Sequence, residues 1–507
     1  MDRFSLLPTV NLLAFLLCAA FLVYVAFIIA AYLRERPQPQ GDASAFDWHL
    51  LIPCLDEEAV IERTVLAARS SFPDAVLWCI DDASADRTGA LLDELAAVHP
   101  GVHVVHRSTE EGRRGKGAAL NHGWEELGHW VRARGGDPQR VIVGVIDADG
   151  ELDGDALAVL AGPGGFADPA IGAVQIAVRI ANRTSGDRCQ DLPRWRQLLV
   201  DVQDLEFVGP IGAMQLLRRH TSSVAMGGNG QFTRLSVLDD IASWAGAPWH
   251  GALLEDFELG LHVLLTGSRT AYCHHIAVSQ EGLPSVRQLI QQRSRWAQGS
   301  MQCGRYLPAV MASSKIGHPA ALEVSYFLVM PWIQLLGTVV YLIAYAILIW
   351  YLLLVGLSPA AWVASGQWAV VPLVLIAGIG PFFVWGPIYR SRVEPSTTRR
   401  RSMALGVATY VVSNLHYAAS WLAFVRYLRD RDDWVKTARV ATRAAQERDE
   451  VGSVADQPGR IGARLVLAHG MPPRAVAGPP CAGHRPRRAL PVPVADRDEP
   501  ALVGAAR

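Results

Sequence analysis

Residues 141–150 read VIVGVIDADG, an apolar run that stops at two carboxylates and a glycine. Val141 to Ile146 carries no polar side chain, the form of a strand buried on both faces. Asp147-Ala148-Asp149-Gly150 then stands at its carboxyl end. Upstream the same pattern repeats. Trp48 to Pro53 is a short apolar run, Glu57 to Ser70 is helix-like, and Ala75 to Ile80 is apolar again and runs into Asp81-Asp82. Thr88 to Val98 has helical period and Val102 to Val105 is a further strand. Alternation of this kind predicts an α/β domain with a Rossmann-like, mostly parallel sheet wound with helices. Ligands in such sheets sit at the carboxyl ends of strands, where both acidic clusters fall.

Composition sets what surrounds this core. Of the 507 residues, 50% are hydrophobic and 19% charged, with a mean hydropathy of +0.18. That is too apolar for an ordinary soluble enzyme and too charged for helices of a membrane alone, so a soluble domain and α-helical transmembrane segments share the chain. A net charge of -1 offers no general attraction for polyanions, so nucleic acid is not an expected partner. The seven cysteines are scattered without a paired spacing, as reduced thiols in a cytosolic domain would be.

The charge-free stretches place the membrane parts. Residues 4–33 carry no charge, and Asn11 to Leu33 is long enough to span, since crossing takes about 20 apolar residues. A cleaved signal peptide would end in small residues, whereas this run continues into Leu33-Arg34-Glu35-Arg36, as an uncleaved anchor would. Residues 324–389 are also uncharged, broken near Gly356 and Ser365, which suggests two spans. Met403 to Val425 has arginines on both flanks, so an interfacial or re-entrant helix competes with a third span there. The expected organisation is an anchor over 1–36, a cytosolic domain over 45–315, two membrane helices over 320–390, a membrane-associated helix over 403–428, a basic juxtamembrane segment over 429–450 and a disordered tail over 451–507. That organisation predicts a multi-pass protein of the cell membrane with its globular domain in the cytoplasm.

Taken singly, the polar motifs have plain explanations. Asp147 and Asp149 could form an exposed acidic turn, or could give oxygen ligands to a divalent ion that bridges a diphosphate. Asp81-Asp82-Ala83-Ser84 could simply end a strand. Gly115-Lys116-Gly117 could cap a helix, or bring an ammonium and backbone amides to a phosphate. Glu255-Asp256 opens a helix-like run and could be a cap. Gln292, Arg295 and Trp296 share one helical face, which could pack on the membrane part. Equally, the guanidinium could hold a phosphate and the indole could cover a sugar ring. His274 and His275 are either satisfied polar residues of a strand or a further metal ligand.

Together these motifs give a resemblance. The chain resembles membrane-integrated, family-two inverting glycosyltransferases of GT-A fold, the group of cellulose, poly-N-acetylglucosamine and hyaluronan synthases and related glycolipid glucosyltransferases. The resemblance runs over about residues 45–440. It rests on Ile52-Pro53 with Glu57-Glu58, Asp81-Asp82-Ala83-Ser84, Lys116-Gly117-Ala118-Ala119-Leu120-Asn121, Asp147-Ala148-Asp149, Gly228-Asn229-Gly230-Gln231-Phe232, Glu255-Asp256, Gln292-Arg293-Ser294-Arg295-Trp296 and Asp433-Trp434-Val435-Lys436-Thr437.

The resemblance implies a set of roles. Pro53, Glu57 and Asp82 would line the nucleoside pocket, and Lys116 would reach the base or diphosphate. Asp147 and Asp149 would hold Mg or Mn, with Asp147 also in the nucleotide-sugar site. Asp256 would be the general base, and Arg295 would stabilise the departing diphosphate. Gln292, Trp296, Gly228 and Asn229 would face the acceptor. The implied activity is transfer of a hexose or N-acetylhexosamine from a UDP-sugar to a growing β-glycan at the cytoplasmic membrane. A single addition making a membrane glycolipid is the alternative, and a nucleotide-binding membrane regulator is the reading outside enzymes. Expected partners are the UDP-sugar, a glycan or lipid acceptor and the bilayer. A polymer product would further call for a homo-oligomer or an export partner. Leu254 and the Gly228–Phe232 loop depart from the polymer synthases and bear on the acceptor.

Overall fold

The computed structural model describes residues 3–431, apart from 187, 189–191, 351–359, 361–363 and 365–373. The expectations for 432–507, including the Asp433–Thr437 motif and the tail, lie outside the described residues, as does much of the second span proposed before residue 389.

Eight strands form one sheet: β1 (Asp47–Cys54), β2 (Val76–Asp81), β3 (Val102–His106), β4 (Val141–Val145), β5 (Glu151–Leu152), β6 (Ile171–Ile180), β7 (Gln231–Arg234) and β8 (Arg269–Gln280). Their order is β3-β2-β1-β4-β7-β6-β8-β5. The first half is parallel throughout, with Pro53 opposite Ile80 and Leu51 opposite both Trp78 and Val145. The second half corrects the expectation of a mostly parallel sheet. β7 runs antiparallel to both β4 and β6, β5 is antiparallel to β8, and only β6 and β8 pair in parallel. The cause lies in the turn before β7. Gly230 hands its N–H to Val145 O, so the chain joins the sheet beside the carboxyl end of β4 and must run back along it.

The helices in chain order are α1 (Arg3–Arg34), α2 (Ile61–Ser71), α3 (Thr88–Val98), α4 (Lys116–Ala133), α5 (Ala156–Leu160), α6 (Arg194–Glu206), α7 (Gly212–Arg219), α8 (Leu235–Ala245), α9 (Glu255–Thr266), α10 (Val286–Cys303), α11 (Leu307–Ala312) and α12 (His318–Trp350). Alternate residues of each strand feed opposite layers. Leu50 and Ile52 pack under α2 and α3 with Ile61, Val65 and Leu92. Leu51 and Ile80 face the layer of α4, α8 and α9, where Leu120, Leu127, Leu238 and Leu259 are buried. Each such leucine stabilises the fold by about 1.5–3 kcal/mol on leaving water. The helix expected from Glu57 begins only at Ile61: residues 58–60 form a turn in which Val60 N–H donates to Glu57 O, and Glu57 N–H donates to Thr88 Oγ1.

Among the described residues, one helical stretch, His318–Val340 in α12, is long and apolar enough to cross a membrane. The multi-pass arrangement expected from sequence is therefore not shown. In α1, Ala19–Arg34 is a shorter apolar stretch. Over 399–428 the chain forms two helices, Arg399–Ser413 and Leu415–Leu428, that meet at Asn414. At 15 and 14 residues, each reaches about 21–23 Å, short of the ~30 Å of hydrocarbon. The second of these helices packs on α10 and α12, where Arg426 Nε donates to Gln298 Oε1 at 3.0 Å and Ser420 Oγ to Gln334 Oε1 at 2.5 Å.

Candidate active site

A cleft opens where β1, β2 and β4 end. Its lining includes Pro53, Glu57, Asp82, Lys116, Asp147, Asn229, Asp256, Gln292, Arg295 and Trp296, ten of the residues singled out in the sequence. They come from stretches up to 243 positions apart in the chain, brought together by the strand ends, the Gly227–Asn229 turn, the start of α9 and one face of α10.

Lys116 is the hub. Its Nζ donates to Asp147 Oδ1 at 2.6 Å. Burial alone would depress the ammonium's pKa, but the charges of Asp147 and Glu255 outweigh that and hold it above its ordinary value. On the other side stands the Glu255–Asp256 pair, in the first turn of α9. Burial raises both carboxyls, and the Asp256 charge raises Glu255 further, while Lys116 opposes the rise at Asp256. Asp256 Oδ1 accepts from Phe257 N–H at 2.7 Å. A carboxylate so enclosed keeps a proton more readily than one in water, which suits a group that takes protons near neutral pH.

The turn between these charges demands glycine. Gly228 has φ +80°, and a Cβ there would lie 2.6 Å from Asp256 Oδ2 and 3.3 Å from Lys116 Nζ. Gly230, at φ +73°, would drive a Cβ to 2.7 Å from Ile176 and Val278. Asn229 between them accepts from Asp147 N–H at 3.1 Å and donates to Gln280 Oε1 at 2.9 Å. Gln175 Nε2 braces its carbonyl at 2.9 Å. The turn thereby fixes the height at which the Asp147 carboxylate enters the cleft.

The two carboxylates of the Asp147-Ala148-Asp149 motif part company. Asp147 faces the cleft, whereas Asp149 is fully buried and its Oδ2 accepts from Glu281 N–H at 3.0 Å. Among the described residues, no group of three or more His, Cys, Asp or Glu side chains is placed to hold a metal ion. His274 and His275 lie elsewhere, in a separate cavity with Arg179 and Glu35. Burial pushes His274 down to about 4, and its ring packs edge-on to Tyr32 at 5.1 Å, so it stands as a neutral packed histidine.

Asp82 is buried and ion-paired to Arg107, and its Oδ1 also accepts from Arg113 N–H at 3.1 Å. Its neighbour Asp81 turns away, bonding Ser84 N–H and His106. On α10, Arg293 covers one face of Trp296 at 4.3 Å and pairs with Glu206 at 2.7 Å. Phe207 meets the same indole edge-on at 6.3 Å.

Phe207, Gln280 and Glu281 escaped the sequence reading, and Asn121, quoted there only within its motif, has a role that the motif did not show. Phe207 lines the cleft from a π-turn, Phe207–Ile211, whose only signal was Pro210 inside a helical period. Gln280 and Glu281 line it from the end of β8, a strand-end position like those already noted. Asn121 clamps the loop before α9, donating to Trp249 O at 2.7 Å and accepting from Trp249 N–H at 3.0 Å.

Parts of the chain are similar to known proteins. Residues 47–299 match the glycosyltransferase-like family 2, and residues 228–392 match glycosyl transferase family 21. A β-monoglucosyldiacylglycerol synthase from Synechocystis is 30% identical over 306 residues, covering 59% of this chain and 57% of that protein. Its counterpart from Trichormus variabilis is 29% identical, covering 51% of this chain and 49% of that protein. The chain thus spans about half the length of these curated relatives. An undecaprenyl-phosphate mannosyltransferase from Micrococcus luteus is 32% identical over 149 residues, covering 29% and 54%. A Pyrobaculum calidifontis mannosyltransferase, solved with GDP-Man and Mn2+, superposes with a TM-score of 0.49 at 18% identity, covering 82% of this chain and 96% of that one. The family match spans the whole cleft from Pro53 to Trp296, so residues 47–299 form an α/β domain similar to the glycosyltransferases of family 2.

Proposed function

We propose that this enzyme adds a single hexose from a UDP-sugar to the free hydroxyl of a membrane lipid, with inversion at the anomeric carbon. The enclosed Asp256, set beside Lys116 and Asp147 at the strand ends, carries the chemistry. The lipid acceptor draws support from the relatives, two of which are named as making glucosyldiacylglycerol and one as acting on undecaprenyl phosphate. These names favour a glycolipid over the growing β-glycan first expected.

In this mechanism Asp256 accepts the proton of the attacking hydroxyl. The acceptor oxygen bonds to the anomeric carbon as the bond to the diphosphate breaks on the opposite face, and a single displacement inverts the centre. Lys116 and Arg295 meet the charge that grows on the leaving diphosphate. Trp296 offers an apolar face to the sugar or lipid head. Pro53, Glu57 and Asp82 hold the nucleoside end.

A divalent cation fits this site through Asp147, whose carboxylate already attracts the Lys116 ammonium. Hard cations such as Mg2+ need only one or two carboxylates besides phosphate oxygens and water. When bound, the ion neutralises diphosphate charge. Asp149 would serve it indirectly, by fixing Glu281 at the rim.

The test is incubation of the detergent-purified protein with labelled UDP-sugars and diacylglycerol in mixed micelles, with lipid and polymer products separated. A lipid carrying one sugar is expected. Polymer would restore the glycan reading, and nucleotide binding without any transfer would favour a regulator.

A further inference from the structure

Between α10, α12 and the helix Leu415–Leu428 lies a third opening, a groove of about 550 Å³. Its two sides differ in kind. Leu328, Val329 and Trp332 of α12 make an apolar wall, while Arg305, Tyr427 and Asp430 make a polar rim.

Two connections give this groove meaning. Its wall belongs to the stretch long enough to cross a membrane, and the same helix exposes Leu322, Ile333, Leu336, Val339 and Val340. Exposed apolar side chains of α12 therefore continue from the groove wall toward residue 340. The groove also abuts the catalytic cleft. Gln302 lines it and accepts from Leu253 N–H at 2.8 Å, and Leu253 and Leu254 line the cleft on the other side. Along α10, Trp296 in the cleft and Gln302 in the groove are six residues apart, about 9 Å at the rise of a helix. Arg305 of the rim is paired with Glu258, which also accepts from Tyr306 OH at 2.7 Å and from Ala252 N–H at 3.1 Å. The rim is thereby fastened to the helix turn that carries Asp256.

We propose that this groove holds one acyl chain of the lipid acceptor, so that the lipid's hydroxyl is delivered across the Leu253–Leu254 partition to Asp256. The proposal rests on the lipid-acceptor reading above and adds where the lipid lies.

The experiment uses the full chain in phosphatidylcholine vesicles with a diacylglycerol bearing a diazirine on one acyl chain. Irradiation should label residues of the Met301–Leu307 or Leu328–Trp332 stretches, and unlabelled dioleoylglycerol should suppress the label. Label confined to the outward face of α12, or label that dioleoylglycerol does not suppress, overturns the assignment. As a second measurement, V329W should raise KM for dioleoylglycerol about tenfold, by displacing roughly one buried side chain's worth of lipid contact. KM for dibutyrylglycerol, too short to fill the groove, should change less than about twofold. Equal changes for both acceptors, or none for either, also overturn it. Wild-type protein that glycosylates no diacylglycerol at all would refute the lipid-acceptor reading itself, whereas lipid product with unaltered chain-length dependence in V329W would refute the groove alone.

Discussion

Replacing Asp256 by Asn separates the chemistry from donor binding. The substitution keeps shape and keeps an oxygen for the 2.7 Å bond from Phe257 N–H, so the first turn of α9 stays capped. It removes one carboxylate beside Lys116, which remains held by Asp147 at 2.6 Å and by the charge of Glu255. The donor pocket should therefore change little. The hydroxyl loses its proton acceptor, and a positioned base is worth about 10²- to 10⁴-fold, or roughly 3–5 kcal/mol of barrier. A fall in kcat of that size, with UDP-sugar affinity by calorimetry within about threefold, marks an interaction made in the transition state. The pH profile gives a second readout. Burial raises Asp256 above the ordinary carboxylate range despite Lys116, and a base works only when deprotonated. Wild-type kcat/KM should thus fall as pH drops through that raised value, and the residual activity of D256N should lack this acid limb. Near-normal transfer by D256N would show that the base is misassigned, and Glu255 or Glu258 would be tested next. Loss of donor binding outright would make Asp256 a donor ligand instead.

Lys116→Met should move the acid limb upward, because Lys116 lowers the Asp256 pKa. Both groups approach the Gly228 Cβ position, so they lie within about 6 Å of each other, and at an effective dielectric of about 20 their interaction is worth about 3 kcal/mol, or roughly two pH units. An unmoved or lowered limb in pH–rate measurements would contradict this. Trp296→Ala should leave UDP-sugar affinity nearly intact while transfer to the acceptor falls more than donor hydrolysis, as product analysis would show. Activity should vanish in excess EDTA and return with Mn2+ or Mg2+, and D147N should weaken Mn2+ binding measured by electron paramagnetic resonance; full activity in chelator would end the metal reading. Asn121→Ala leaves the Trp249 N–H and C=O without their partners and should destabilise the fold by about 2–4 kcal/mol in denaturant melts, whereas a change below about 0.5 kcal/mol would mean that the loop is held otherwise.

The parallel half of the sheet was legible because its strands are apolar runs with abrupt polar ends. Asp82 and Asp147 could be placed at a site from those ends alone. β7 was not legible, since Gln231-Phe232-Thr233-Arg234 is four residues long with polar ends, and its direction is set by the Gly230 bond to Val145, which no local pattern encodes. The same limit hid the Asn121 clamp on Trp249, 128 positions away, and the Arg107 pairing with Asp82. The Asp147-Ala148-Asp149 spacing suggested twin ligands, but spacing cannot show that a neighbouring turn, here Glu281, takes up the second carboxylate. Glu255 was read with Asp256 as a helix start, yet its enclosure against Lys116 depends on α4 and α9 meeting through Gly117, whose Cβ position lies 3.4 Å from Glu255 Cβ.

The pairing of β6 with β8, begun by Ile171 opposite Arg269, joins stretches made far apart in time during synthesis. Until β8 has left the ribosome, β6 can hydrogen-bond only to β7, and no complete cleft exists while α10 is still unmade. Non-local pairing of this kind is slow to form. After the short α11 comes α12, which holds the stretch apolar enough for a bilayer. Completion of the cleft and arrival of the long apolar helix are therefore successive events in translation, and a truncated chain ending before α10 would be born without either.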